Sequence, residues 1–206
     1  MSNLLIVESE NDQFFFEALI KHINLNIEVG SPICSIDGYG CLKGTGNLNK
    51  KLIAIKGDIQ KGKIDKVGII FDADQVGINQ RKKLILEKIQ QIFTKEEQPI
   101  FSLYILNIEG EGELETVLKK IHNQNSEIAD CLISWQACLP KNKQVKIKDF
   151  DKLWIQFYQR FDCCNKKEQK QAGRKCGNEK SFSKNIYNYD HPQLNKLKQF
   201  LHDLGC

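Results

Sequence analysis

No apolar run in the 206-residue chain approaches the ~20 residues that cross a bilayer, so a helical membrane protein is not expected. The start, Met1-Ser2-Asn3 running into an apolar stretch, lacks the basic and hydrophobic pattern of an export signal. A cytoplasmic protein is therefore expected. No CxxC pair occurs among the eight cysteines, Cys34, Cys41, Cys131, Cys138, Cys163, Cys164, Cys176 and Cys206. Without an export signal, reduced thiols are the better reading. A zinc site drawn from Cys163, Cys164, Cys176 and His191 is weak, because adjacent cysteines rarely make a clean tetrahedral pair. Neither a Walker loop nor Gly-x-Gly-x-x-Gly is present, and there is no internal repeat.

What is present fits a folded protein of one domain with an appendage, or of two small domains. The apolar share is 41% and the charged share 27%. The net charge of +4 is uneven. Between Lys141 and Lys184 there are 13 Lys/Arg against five acids, so that segment is +8 and the remainder −4. A basic lobe beside an acidic one suits an anionic polymer. A solvated Lys-rich insert has the same composition.

Val67–Asp74 reads Val-Gly-Ile-Ile-Phe-Asp-Ala-Asp. A short continuous apolar run predicts a strand buried on both faces, as in a parallel sheet. Asp72 and Asp74 are two apart and point the same way if the extended geometry persists past Phe71. Like charges at a strand tip repel unless a cation, a proton or a basic partner offsets them. Mg²⁺ suits carboxylate oxygens; a polar turn after a strand also explains them.

Leu4–Val7 is a second short strand pattern with Glu8 at its tip. Asp12 then lies in the first turn of a helix carrying Phe15, Leu19, Ile20 and Ile23. Ile33–Ile36 reads as another strand, leading into Asp37–Asn47. Four glycines in nine residues there make either a plain turn or a loop, with Lys43 in it, able to approach a phosphate. Helices are predicted over 48–59, 79–93 and 113–121, and a further strand over 101–106. Arg81 and Lys82 open the second of these helices and either face phosphates or are solvated. Acids crowd Glu109–Glu115 at the last strand-to-helix junction. After His122 the pattern predicts helices over 127–138 and 150–161, a polar loop over 163–180, a short helix over 183–189 and a last helix after Pro192. The strand–helix alternation predicts an α/β fold. In open α/β sheets ligands bind beyond the carboxyl ends of the strands, where Glu8, Asp72, Asp74 and the Glu109–Glu115 cluster all fall.

Leu5-Ile6-Val7-Glu8-Ser9-Glu10-Asn11-Asp12, followed some sixty residues later by Ile69-Ile70-Phe71-Asp72-Ala73-Asp74, resembles the TOPRIM domain of primases, topoisomerases and nucleases. The Glu-x-x-x-Asp form, the Gly-rich second loop and Gly112-Glu113-Leu114-Glu115 look most like the branch of the OLD (overcoming-lysogenization-defect) nucleases. They also resemble small stand-alone TOPRIM proteins of the DUF3226 type, as does the tail from Lys184-Asn185-Ile186-Tyr187 through His191-Pro192 to Phe200-Leu201. The resemblance implies a Rossmann-like TOPRIM fold of about four mainly parallel strands over residues 1–122, with a helical, basic extension over 123–206 packed on it. It implies a Mg²⁺- or Mn²⁺-dependent nuclease acting on DNA or RNA. Glu8 would be the acid/base or metal-binding glutamate, Asp72 and Asp74 would hold the metal, and Asp12 and Glu115 match extra acids of the OLD-like enzymes. Lys184 falls where a late lysine stabilises the phosphate. Lys43, Arg81, Lys166, Lys167, Arg174 and Lys175 are the candidate nucleic-acid contacts. Ser9 departs from the Gly that usually follows the glutamate. A catalytically weak TOPRIM-like module binding nucleic acid or protein is the alternative, and a homodimer or an unidentified protein partner is compatible with either.

Overall fold

A computed structural model describes residues 2–32, 46–110 and 112–206. Its centre is a parallel sheet of four strands, β1 (Ser2–Ile6), β2 (Glu28–Val29), β3 (Ile64–Asp72) and β4 (Phe101–Leu106), in the order β2-β1-β3-β4. All three pairings are parallel; Leu5 lies opposite Gly68, and Ile70 opposite Tyr104. The chain therefore has the expected α/β fold. The strand expected at Ile33–Ile36, the glycine-rich loop after it and Lys43 lie outside the described residues.

Alternation along each strand divides the core in two. Leu4, Ile6, Val67, Ile69 and Phe71 belong to one face of the sheet, and Leu5, Val7 and Ile70 to the other. With α1 spanning Glu10–His22, α2 Gly46–Gln60 and α3 Ile78–Ile92, the first set packs on Leu48 and Leu52 of α2 and on Ile85 and Ile89 of α3. The second set packs on Phe15, Phe16 and Leu19 of α1 and on residues from the C-terminal third of the chain. Two buried faces explain why β3 reads as a continuous apolar run.

The remaining helices are α4 (Leu114–Lys120), α5 (Glu127–Cys138), α6 (Ile147–Phe157), α7 (Lys166–Gln169), α8 (Ala172–Lys175), α9 (Asn178–Phe182) and α10 (Asn195–Gly205). A π-helical turn, Tyr158–Asp162, prolongs α6. The expected polar loop over 163–180 instead forms three short helices, one capped by the Asn165 side chain. The expected helix over 183–189 is replaced by turns ending at Tyr187, which bridges to His122. Tyr187 and Ile186 are buried and extend the core there.

The last helix covers the sheet itself. Leu197, Leu201 and Leu204 of α10 share one core with Leu5, Phe15 and Ile70. A Cβ placed on Gly68 would lie 2.6 Å from Leu204 and 3.0 Å from Leu5, so glycine is what lets α10 sit this close to β3.

Cys164 and Cys176 form a disulfide, which corrects the expectation of reduced thiols for this pair and removes two ligands from the zinc drawing. Spacing in the sequence hid the pairing, because α7 and α8 fold back to bring the two Cα atoms to 6.1 Å.

Two outcomes are expected. Gly68→Val places a better strand former in β3, yet it should destabilise the protein by about 2–3 kcal/mol in denaturant unfolding because α10 must shift. Reduction of Cys164–Cys176 should lower the melting temperature by several degrees, as expected of a short closed loop worth about 3 kcal/mol. Alkylation of both cysteines without prior reduction would contradict the second.

Candidate active site

The carboxyl ends of β1 and β3 and the loop after β4 open into one cleft of about 1680 Å³. Glu8, Asp12, Asp72, Asp74, Glu113 and Glu115 all line it, brought together from distant stretches of the chain.

Glu8 stands two residues past β1, immediately before the cap of α1. Ser9 is that cap. Its hydroxyl accepts from the Asp12 amide at 3.2 Å, and the Asp12 carboxylate accepts from the Ser9 amide at 2.8 Å and hydroxyl at 2.7 Å. This capping box occupies one Asp12 oxygen, Oδ2, and supplies a structural reason for serine after the glutamate. Asp12 therefore has a helix-capping duty besides any duty in the cleft.

Asp72 ends β3 on the face shared with Ile70. Burial, then the charges of Asp12, Glu8, Glu115 and Glu113, push its carboxyl well above the usual range. Burial and the neighbouring Glu8 and Glu115 raise Asp12 to about 7 against the hydrogen bonds from Ser9. Burial also raises Glu8, helped by Asp74, and raises Glu115. Burial and neighbouring acids thus raise the affinity of all four carboxyls for protons or cations.

Asp74 does not simply repeat Asp72. Extended geometry ends at Ala73, and Asp74 has φ +50°, a left-handed conformation that aspartate tolerates. Its amide and carbonyl pair with Gly112 at 3.2 and 3.4 Å, tying the loop after β3 to the loop after β4. Gly112 has φ +104°, and a Cβ there would press on Thr116 at 3.2 Å. The Asp74 carboxylate accepts from Arg81 and from Lys148 at 3.2 Å. Burial opposes its ionisation, but hydrogen bonding with Glu113 and Lys148 and the nearby cations bring its pKa below the usual value.

The residues that pattern alone missed are Glu113, Lys148 and Lys152. Glu113 caps α4 and is buried. It pairs with Lys148 and, at 2.7 Å, with Lys152. The two lysines are one turn apart on α6 and reach the cleft together; their i, i+4 spacing was the available signal. Despite partial burial, which lowers it, hydrogen bonding to Glu113 and the charge of Asp74 raise the Lys148 pKa, so it stays charged.

Of the other expected residues, Arg81 is buried and committed to Asp74. Lys184 does not line the cleft; its ammonium donates to Glu168 at 2.9 Å, beside the disulfide. Lys166, Lys167, Arg174 and Lys175 are exposed on α7 and α8, and of these Arg174 lines a second trough next to the cleft. Glu111 lies outside the described residues.

The family described as "Protein of unknown function (DUF3226)" matches residues 2–206. The chain belongs to the DUF3226 family. No curated protein and no solved structure matches it. The DUF3226 match runs through the sheet and the basic C-terminal helices alike, as does the core they share.

Whether a metal suits this cleft is a question of donor chemistry and of arrangement. Carboxylate oxygens whose pKa values are raised by burial and neighbouring acids suit a hard divalent cation. As the side chains stand, no group of three or more His, Cys, Asp or Glu among the described residues is arranged to hold one.

The repulsion has a pH signature. An acid with a raised folded-state pKa makes the folded state bind its proton more tightly, so its contribution to stability falls as pH rises through the window. For Asp12 the window runs from 3.8 to about 7, and Asp72, Glu8 and Glu115 move in the same direction. Each tenfold gain in proton affinity is worth about 1.4 kcal/mol. Asp74, whose pKa is lowered, titrates below this window. In EDTA the protein should therefore melt several degrees lower at pH 7.5 than at pH 5.5, and Asp72→Asn should recover much of the loss. A melting temperature independent of pH over that interval would contradict the raised carboxyl pKa values.

Proposed function

We infer that this DUF3226 protein is a Mg²⁺- or Mn²⁺-dependent phosphodiesterase of the TOPRIM, OLD-like kind that cleaves nucleic acid. One observation carries the reading: carboxylates at the ends of adjacent parallel strands face two lysines across a single cleft. The cleft volume of about 1680 Å³ exceeds the ~300–1,000 Å³ usual for small-molecule pockets, which favours a polymer.

Asp72 and Glu115, with the second oxygen of Asp12, are the residues that would hold the cation, which leaves Glu8 to handle the proton. When bound, the cation supplies an acidified water and offsets charge on the leaving oxygen. The chain's own groups do the rest. Glu8, with its raised pKa, holds a proton more readily than an ordinary glutamate and can pass it to a leaving alkoxide. Lys148 and Lys152 take the part that the resemblance gave to Lys184. They exchange Glu113 and Asp74 for the phosphate as charge develops on it. Arg81 keeps Asp74 ionised and in place.

A second reading rests on the same ion pairs. Asp74 and Glu113 already have their charge offset by Arg81, Lys148 and Lys152. A catalytically weak module that binds nucleic acid or protein would keep this arrangement at rest.

Purified protein with Mg²⁺ or Mn²⁺ is expected to nick or degrade DNA or RNA. Asp72→Ala or Glu8→Gln should lower the rate at least ~100-fold, and Lys148→Ala ~10- to 100-fold, with Lys184→Ala much less affected. Intact single-stranded and duplex DNA and RNA after incubation with either metal would favour the second reading.

A further inference from the structure

The cleft continues away from the acids. Along α6 and its π-turn, Lys148, Lys152, Gln156 and Arg160 recur at four-residue spacing, and all four line it. At 1.5 Å per residue this ridge is about 18 Å long, roughly five phosphates at the 3.4 Å spacing of a stacked strand. The first two lysines are engaged by Glu113 and Asp74. Arg160 has no carboxylate within ion-pair distance among the described residues; its guanidinium lies 5.3 Å from the Phe161 ring. The ridge thus runs from cations spent on the acids to one available for a ligand.

The cleft adjoins a second trough of about 450 Å³. Cleft and trough share Asn11, Gly173, Gly177 and Asn178 along their common wall. A Cβ on Gly173 would meet no atom within 4 Å, so that wall is open. The trough presents Arg174, again with no carboxylate in ion-pair distance among the described residues, and the half-buried ring of Phe14.

We propose that this ridge and trough form the track of a single-stranded nucleic acid whose phosphates follow α6 to Arg160 and Arg174 while a base stacks on Phe14. The inference rests on the reading of the acids as a phosphodiester-cleaving site and names its substrate as single-stranded. Cations spaced along one cleft can follow the phosphates of a flexible strand, and aromatic stacking is open to a strand whose bases are unpaired. A duplex would be met by the outward lysines of α7 instead, which do not line the cleft.

The test is fluorescence anisotropy in EDTA with labelled 12-nucleotide single strands of DNA and RNA and the matching DNA duplex. At equal salt a single strand should bind at least tenfold more tightly than the duplex. Arg160→Glu and Arg174→Glu should each weaken single-strand binding about tenfold and reduce the salt slope by about one, with Arg160→Lys restoring most of it. Gly173→Trp should block the trough, weakening binding about tenfold with the salt slope unchanged. Equal affinity for duplex, or a larger loss from Lys166→Glu with Lys167→Glu than from Arg160→Glu, would overturn the track. So would full binding by Gly173→Trp. Hydrolysis of bis(p-nitrophenyl) phosphate by the wild-type protein with Mn²⁺ reads the acids separately. Strand binding without that hydrolysis upholds the track and removes the nuclease; hydrolysis without strand preference does the reverse.

Discussion

The repulsion among carboxyls at the strand ends is the constraint to which the rest of the structure answers. Glu8, Asp12, Asp72 and Glu115 are each raised by burial and by neighbouring acids. Such a group is costly unless protons or cations meet it. The fold answers part of the cost with its own charges. Arg81, Lys148 and Lys152 neutralise Asp74 and Glu113, on one side of the cleft. Asp12 hands one oxygen to the cap of α1. Glu8 feels Arg81 and Lys148, and Glu115 feels Lys152 and Lys148, whereas the charges that act on Asp72 are those of Asp12, Glu8, Glu115 and Glu113.

The scaffold holds this arrangement in place from both sides. The carboxyl ends of β1 and β3 are locked by parallel pairing, and the Asp74–Gly112 bridge fixes the loop that follows β4. On the far side, α10 seats against Gly68. Lys119 of α4 pairs with Asp151 of α6 at 2.8 Å, which fastens the helix carrying Lys148 and Lys152 to the helix capped by Glu113. The basic helix α6 is therefore integral to the α/β core and to the cleft.

Local pattern made much of this legible, and distance in the chain hid the rest. The apolar runs at Leu4–Val7, Val67–Phe71 and 101–106 marked three of the four strands, because burial on both faces leaves a strong signal. Glu28–Val29 escaped notice as a strand of two residues, too short to carry a pattern. Asp72 and Glu8 were readable from their strand-tip positions. The equivalence of Asp72 and Asp74 was not sound, since it assumed extended backbone where Asp74 turns left-handed. Lys148 meets Asp74 across 74 residues of sequence, and no periodicity encodes such a contact. Glu113 looked like an ordinary acid at a helix start, and only its burial against two lysines sets it apart. The disulfide was hidden for the same reason, since it depends on how three short helices fold back.

The proposed site stands or falls on whether Asp72 and the acids beside it attract a divalent cation. Anomalous diffraction from crystals soaked in Mn²⁺ tests it directly. One strong peak is expected within coordinating distance of Asp72 and at least one of Asp12 and Glu115, absent from Asp72→Asn crystals. Soaked crystals with no peak at these acids, or with manganese bound only elsewhere, would contradict it.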